Sequence, residues 1–545
     1  MPRAQTGGTH DLGRSVGRAA RLRRYDLPAI DRTLTRRQVL TAIGTVGGAG
    51  AVVGALTALD LLDDGGRAPF RPPSAGDFTL QGRRNGTSVV VLGAGIAGLC
   101  CAYELEKAGY AVTVLEARQR LGGRSWTVRG GDVGIDTRGR RQRSRFAEGR
   151  YLNAGPARIA QHHTTLDYCR ELGVAVEVFV NDNPDAYVEG GGTVRRRRAV
   201  RADLDGYVAE LLAKALDAGA LDAELPADER AGLRDHLEAT GVLGSADRGY
   251  DEPPGPGDRP GTAGTPDDLA TLLAMGHRVR ERLEGDHVRD WHQAMPMFQP
   301  VGGMDAIVTA LAGRLQATVR TGAEAEGIVG AEGGADGVEV RLSDGQAVRA
   351  DFGICTLPPH LAARLDADWP ADVRGALTEP SPFITGKLGL EYDRRFWELD
   401  DRIFGGPTRT ERSVRAIWYP SHGYLGDGGV VVGAYPFGPA ADRFSRSDHD
   451  ARVRAAVAAG RVFHGAAYEE DLRSSFSVDW RTEPHSEGAW VTWPRYGAAF
   501  SRLLEPAGRW WFAGDWASRA IGWQHGAFES ARHTVEALHE QALAS

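Results

Sequence analysis

The sequence predicts an α/β fold in which a doubly wound parallel-sheet domain joins a second, sheet-based domain and a helical insertion. Three observations predict it. A buried-strand pattern at Ser88–Leu92 runs into a glycine turn, a helix and a second strand ending at Glu116. A matching strand and turn at Trp510–Asp515 lead into a C-terminal helix reaching about Leu538. Between them, alternating runs such as Val430–Val432 contrast with the helical pattern of 187–298, as in Leu204–Leu216. The 545 residues, 42% hydrophobic and 25% charged with a formal net charge of −7, exclude disordered and collagen-like classes and suffice for several domains. Four cysteines (Cys100, Cys101, Cys169 and Cys355) make neither a disulfide scaffold nor a zinc ribbon. The basic residues are lopsided: lysine occurs only at Lys107, Lys214 and Lys387, leaving 62 arginines.

In chain order, residues 1–37 hold nine arginines and three aspartates, and Thr35-Arg36-Arg37 opens an uncharged run from Gln38 to Leu59. Twin arginines before a Gly- and Ala-rich apolar segment resemble a Tat export signal over 1–62, implying an extracytoplasmic location. The alternative is a single N-terminal membrane anchor, since 22 uncharged residues can span a bilayer. Residues 63–86, rich in Gly, Pro and Arg, read as a linker. Then comes Gly93-Ala94-Gly95-Ile96-Ala97-Gly98. Gly93 allows a tight turn, Gly95 lets the backbone approach a pyrophosphate, and Gly98 brings helix and strand together. The helix N-terminus offers N–H groups and a positive dipole end to phosphates. Glu116, 18 residues after Gly98, is placed to accept from ribose hydroxyls. Strand, glycines, helix, strand and acid in register specify a Rossmann-like dinucleotide site, without choosing between NAD and FAD.

The next residues make that choice. Glu116-Ala117-Arg118-Gln119-Arg120-Leu121-Gly122-Gly123-Arg124 resembles the second glycine motif of the flavin amine oxidase superfamily. The resemblance implies an FAD-binding domain of the GR2 type, with Ala117, Arg118 and Gly123 along the cofactor and Arg124 on its pyrophosphate. Trp510-Trp511-Phe512-Ala513-Gly514-Asp515 and Gly522-Trp523-Gln524-His525-Gly526-Ala527 resemble the family's closing segment. Asp515, where glutamate is usual, would bind the ribityl chain, and the following helix would point its N-terminus at the isoalloxazine. Ala350–Pro358 resembles the strand and turn that leave the FAD domain, and Gln299–Met304 its return. Ala325 stands at the adenine-contacting position where the family favours valine, and Pro156, Ala157, Arg158, Gly522 and Trp523 also fall on the cofactor. The implied domains are FAD-binding at 87–145, 299–375 and 484–545, and substrate-binding at 146–186 and 376–483. Residues 187–298 form a helical insertion that shapes an access funnel. Ala489 replaces the cysteine through which monoamine oxidases attach flavin, so FAD is expected to be non-covalent.

The segment Gly149–Ile159, containing Gly155-Pro156-Ala157-Arg158, resembles the L-amino-acid oxidase branch. There the arginine forms a bidentate pair with the substrate carboxylate, a partner that simple amines lack. Ile417-Trp418-Tyr419-Pro420 resembles a strand of the same branch whose tyrosine hydroxyl gives the carboxylate a second bond, implying Tyr419. Gly522 and Trp523 match the pair whose carbonyl and ring face the substrate amine and the flavin. Lys387, in Gly386-Lys387-Leu388-Gly389-Leu390, matches the lysine that holds a water against flavin N5. Its apolar surroundings make a charge there costly without a partner, whereas Lys107 and Lys214 read as solvated helix positions.

The implied activity is FAD-dependent oxidative deamination of an L-amino acid by O2 and water to a 2-oxo acid, ammonia and hydrogen peroxide. Rivals of the same fold are a monoamine or polyamine oxidase and an amino-acid 2-monooxygenase. A rival of another class is a non-catalytic FAD-binding partner protein. Arg195–Arg198 and the arginines between 138 and 145 read as solvated loop residues, and no motif supports nucleic-acid binding. Adjacent His162 and His163 lack metal-ligand spacing and read as capping or packing a helix to Leu172, so no metal is expected. Membrane contact through the N-terminal segment and association as a homodimer are both compatible with the chain.

Overall fold

The computed structural model describes residues 78–241, 243, 249–250, 265–275, 291–293, 296–332 and 337–544. These all belong to one compact unit, Pro69–Ser545. The twin-arginine segment, the linker as far as residue 77 and most of the Gly/Pro-rich loop at 250–266 lie outside the described residues. Among the described residues no helix is long and apolar enough to cross a membrane.

Five parallel strands form the first sheet, in the order Thr318–Thr321, Ala111–Glu116, Ser88–Leu92, Phe352–Cys355 and Trp510–Phe512. The run Ser88-Val89-Val90-Val91-Leu92 is apolar because both faces are covered. Val89 and Val91 enter a core shared with the helices Ile96–Lys107, Thr164–Leu172, Ala306–Arg314 and Gln524–Ala544. Val90 and Leu92 enter the opposite core, with Trp369, Val373, Trp510 and Phe512. The C-terminal helix runs six residues beyond Leu538, to Ala544. Its inner face continues there: Ala542 is buried, and His539 bonds the Tyr110 hydroxyl and the Gln81 carbonyl, each at 2.8 Å. Phe78 and Leu80 also pack on this core, so residues 78–86, read as linker, are part of the fold.

The second sheet has seven strands, in the order Thr193–Arg196, Tyr187–Gly190, Gly406–Thr410, Ala416–Tyr419, Gly429–Ala434, Gly386–Tyr392 and Leu472–Asp479. The hairpin 187–196 therefore extends this sheet and does not belong to the helical insertion. Its turn uses Gly191 and Gly192, at φ +57° and +82°, a region glycine enters without strain. The insertion's helices begin with Arg197–Asp217. Arg196 and Arg197, read from the arginine run as solvated loop residues, are instead buried. Arg196 lies 4.1 Å above the Tyr187 ring and donates to the Asp185 carbonyl, and Arg197 pairs with Asp182. Burial is tolerated because these charges are paired or stacked.

The side of the seven-stranded sheet on which a residue falls decides which residues face the first domain. Trp418 lies opposite Pro407 and Val432, while Tyr419 lies opposite Gly406. Leu388 pairs with Ala434 but Gly389 with Val432, so Gly433 is an extra residue that shifts the register.

Candidate active site

Two adjoining cavities lie where the domains meet. The first, about 420 Å³, is lined by Gly93, Gly95, Ile96, Ala97 and Glu116, with Ala117, Arg118 and Gly123 continuing the wall. Ala325 and Asp515 also line it. Ala94 contributes its N–H, which donates to Glu116 Oε2 at 2.8 Å. The Arg118 N–H donates to Glu116 Oε1 at 2.9 Å, so two backbone donors fix the carboxylate at the strand end. Gly93, at φ +97°, makes the tight turn. A Cβ on Gly98 would stand 2.0 Å from the Gly93 carbonyl oxygen, so only glycine lets helix and turn approach. A Cβ on Gly95 would meet nothing within 4 Å: it faces the cavity.

This donor set fits FAD. A helix N-terminus and the guanidinium groups of Arg118 and Arg124 suit a pyrophosphate. Carboxylates at Glu116 and Asp515 can accept from ribose and ribityl hydroxyls. Asp515 is buried, takes the Gly522 N–H at 2.8 Å, and pairs with Arg124, which also donates to the Ala489 carbonyl at 2.9 Å. The arginine and acid assigned to separate parts of the cofactor thus form one cross-link between the second glycine motif and the closing segment.

The second cavity, about 370 Å³, shares Arg124, Pro156, Gly522 and Trp523 with the first. Ala157, Arg158 and Lys387 also line it. The Arg158 guanidinium lies 5.1 Å from the Trp418 ring centroid and 5.5 Å from that of Trp523. Gln293 Oε1 accepts from its Nε at 3.2 Å and its Nη2 at 2.9 Å. Lys387 Nζ donates to the carbonyl oxygens of Asn153 at 2.9 Å and Gly155 at 2.5 Å. Burial, with the Arg158 charge second, lowers the lysine's pKa to about 7.

Tyr419 does not reach this cavity with its hydroxyl. Its ring is 2% exposed, and its hydroxyl bonds Thr408 Oγ1 at 2.7 Å and His464 Nε2 at 2.8 Å. His464 Nδ1 in turn lies 2.7 Å from Asp401 Oδ2. The reason is strand alternation: Trp418 faces the cavity, so Tyr419 turns into the core behind the sheet. The tyrosine that does line the cavity is Tyr435, whose ring centroid lies 5.2 Å from Lys387 Nζ. It follows the strand Gly429–Ala434, one residue past the Leu388–Ala434 pair, and the extra residue Gly433 turns it to the side from which Lys387 Nζ meets its ring. Sequence reasoning also missed Arg409, which lines the same cavity 5.9 Å from the Trp418 ring. Its alternation with Thr408 was the available signal.

The fold brings His292 to His162 and His163, with one ring nitrogen from each lying within 4.8 Å of the others. Sequence spacing could not show this cluster, because His292 arrives from the insertion. The hydrogen bonding disfavours a metal. His163 Nδ1 accepts the Ala160 N–H at 3.3 Å, so its Nε2 carries the hydrogen directed at His292 Nδ1, also 3.3 Å away. Burial keeps His163 neutral, with a pKa lowered to about 2.

The flavin containing amine oxidoreductase family matches residues 96–539. The chain is 29% identical over 488 residues to the flavin-dependent L-tryptophan oxidase RebO of Lentzea aerocolonigenes, covering 84% of this chain and 98% of that protein. It is 27% identical over 465 residues to an L-amino-acid oxidase of Bothrops pauloensis, covering 82% and 87%. In fold it resembles cyclohexylamine oxidase from Brevibacterium oxydans (TM-score 0.58, 19% identity), covering 84% of this chain and 99% of that one. Putrescine oxidase bound to putrescine gives a TM-score of 0.56 at 19% identity, with the same coverage.

Proposed function

Because the chain belongs to the flavin containing amine oxidoreductase family, we propose that this flavin-dependent enzyme oxidises L-amino acids. Each turnover would convert an L-amino acid, O2 and water to a 2-oxo acid, ammonia and hydrogen peroxide. The observation that carries this reading is Arg158, a guanidinium set between Trp418 and Trp523 in the second cavity. A planar fork matches a carboxylate and has no counterpart in a simple amine. The similarity to L-tryptophan and L-amino-acid oxidases supports it.

FAD, when bound, supplies the two-electron chemistry at the substrate's amine carbon. The protein's own part is to bind, orient and desolvate. Arg158 would hold the carboxylate, with the Tyr435 hydroxyl adding a bond, and the Gly522 carbonyl would take an amine N–H. Trp418 and Trp523 wall the site against water, so orientation does most of the work. Lys387 Nζ, fixed by two carbonyls and titrating near pH 7, can exchange a proton with a water beside it.

The test is peroxide release from a panel of L-amino acids and their decarboxylated amines. Amino acids should turn over, and Arg158→Ala should raise their KM on the order of 100-fold, as loss of a charged bidentate pair implies. Turnover of amines alone would overturn the reading. We further propose that residues 1–62 direct export; amino-acid oxidase activity confined to the cytoplasmic fraction of the producing cells would refute it.

A further inference from the structure

We propose that Gln293 is the positioning residue for Arg158 and thereby sets the affinity of the site for a carboxylate. This rests on the amino-acid reading above. Gln293 ends the short 3-10 turn Trp291–Gln293 and lines the second cavity. Its Oε1 receives three hydrogen bonds: from Arg158 Nε at 3.2 Å, from Arg158 Nη2 at 2.9 Å and from Asn181 Nδ2 at 3.2 Å. An arginine can only donate, so the Gln293 amide must turn its oxygen toward the guanidinium. The turn is pinned one residue earlier as well. His292 Nδ1 lies 3.3 Å from His163 Nε2, and its ring stacks against Trp523 with centroids 5.9 Å apart.

The geometry assigns a function to each edge of the guanidinium. The side edge, Nε and Nη2, rests on one oxygen. The end edge, Nη1 and Nη2, is the one that would meet a carboxylate with two parallel bonds. The charge on the acceptor matters as much as its position. A neutral amide orients the fork without adding a negative charge beside it. A carboxylate at position 293 would hold the same edge but compete electrostatically with the substrate's own carboxylate. Glutamine and glutamate differ by one atom in an almost identical outline, so the exchange isolates charge from shape.

The experiment compares holoenzyme carrying Gln293→Glu, Gln293→Met or Arg158→Ala with the wild type. KM and kcat are measured with the best L-amino acid of the panel, and benzoate binding is followed by the flavin absorbance change. Gln293→Glu should raise KM and the benzoate Kd together by about 10- to 100-fold, with kcat within about threefold, as expected for lost uniform binding. Gln293→Met, which removes the acceptor and adds no charge, should raise both by about 3- to 10-fold at unchanged flavin content. If both Gln293 variants keep KM and benzoate Kd within twofold while Arg158→Ala raises them, the positioning role is overturned and the carboxylate reading stands. If Arg158→Ala also leaves both constants unchanged, the carboxylate reading itself fails. A fall in kcat alone would likewise overturn the proposal. Should Gln293→Glu fail to fold, Gln293→Met decides the matter by the same constants.

Discussion

Replacing Lys387 by methionine separates the chemistry of this side chain from the cost of burying it. The lysine is 6% exposed, and its ammonium rests on two neutral carbonyl oxygens, of Asn153 and Gly155. Burial first, and the Arg158 charge second, bring its pKa to about 7. In the unfolded chain the value is about 10.4. Between these values the unfolded chain binds more protons than the folded one, so this group makes the fold more stable as pH rises from about 7 toward about 10. Below pH 7 the full burial penalty applies. Each pH unit well inside the window is worth about 1.4 kcal/mol, and about half that near pH 7 where the folded group is half protonated, so from pH 7 to 9 the wild type should gain about 2 kcal/mol relative to Lys387→Met. For a cooperative unit of this size that is on the order of 2 °C in Tm. Thermal unfolding followed by tryptophan fluorescence at pH 6, 7, 8 and 9 should show the variant melting higher at low pH, with the gap narrowing by pH 9. Turnover should fall by about 100-fold or more, as expected for losing a positioned proton-exchanging group. A Tm difference that is constant across this range, or that grows with pH in the variant's favour, would refute the argument.

Five further outcomes are expected. Tyr435→Phe should raise the KM for the amino acid by about 10-fold, the loss of a hydrogen bond to a charged group. Tyr419→Phe should leave KM unchanged and destabilise the fold by about 1–3 kcal/mol, because Nε2 of the buried His464 and the Thr408 hydroxyl lose a partner; steady-state kinetics and urea unfolding separate the two. Gly98→Ala should destabilise the first domain by about 1–3 kcal/mol through overpacking against the Gly93 carbonyl. Gly95→Ala, whose Cβ enters open space in the cavity, should fold normally but bind FAD more weakly, as a flavin fluorescence titration would show. Finally, acid precipitation should release all the flavin into the supernatant, since Ala489 occupies the position of a covalent cysteine; flavin remaining on the polypeptide would contradict this.

How much of the site could be read in advance depended on how local its geometry is. Gly93, Gly95, Gly98 and Glu116 lie within one strand–helix–strand unit, where the chain itself sets every distance, and all line or shape the first cavity. Arg158 and Lys387 were reachable through contiguous motifs. Tyr435 was not, because its position depends on an extra residue, Gly433, inserted in a strand whose alternation otherwise looks regular. One such residue reverses the facing of everything after it. Tyr419 failed for the complementary reason: the motif gave the right strand, and a choice between neighbours on a strand is a choice between faces. The hairpin 187–196 and the histidine cluster depend on pairings across more than a hundred residues, for which a single sequence carries no marker.

The scarcity of lysine gains physical content at this point. Lys107 pairs with the buried Glu104 and with Glu171, and Lys214 with Glu210, and both ammonium groups still reach solvent. Lys387 differs in geometry and in acidity. Two carbonyl oxygens, at 2.9 and 2.5 Å, converge on one nitrogen, an arrangement suited to a compact ammonium and not to a planar fork. Arginine remains protonated even when buried, so it would place a permanent second charge beside Arg158 and could not exchange a proton near neutral pH. A lysine can surrender its charge. In a chain that writes arginine almost everywhere, the one of its three lysines that is buried stands where burial favours an amine able to become neutral.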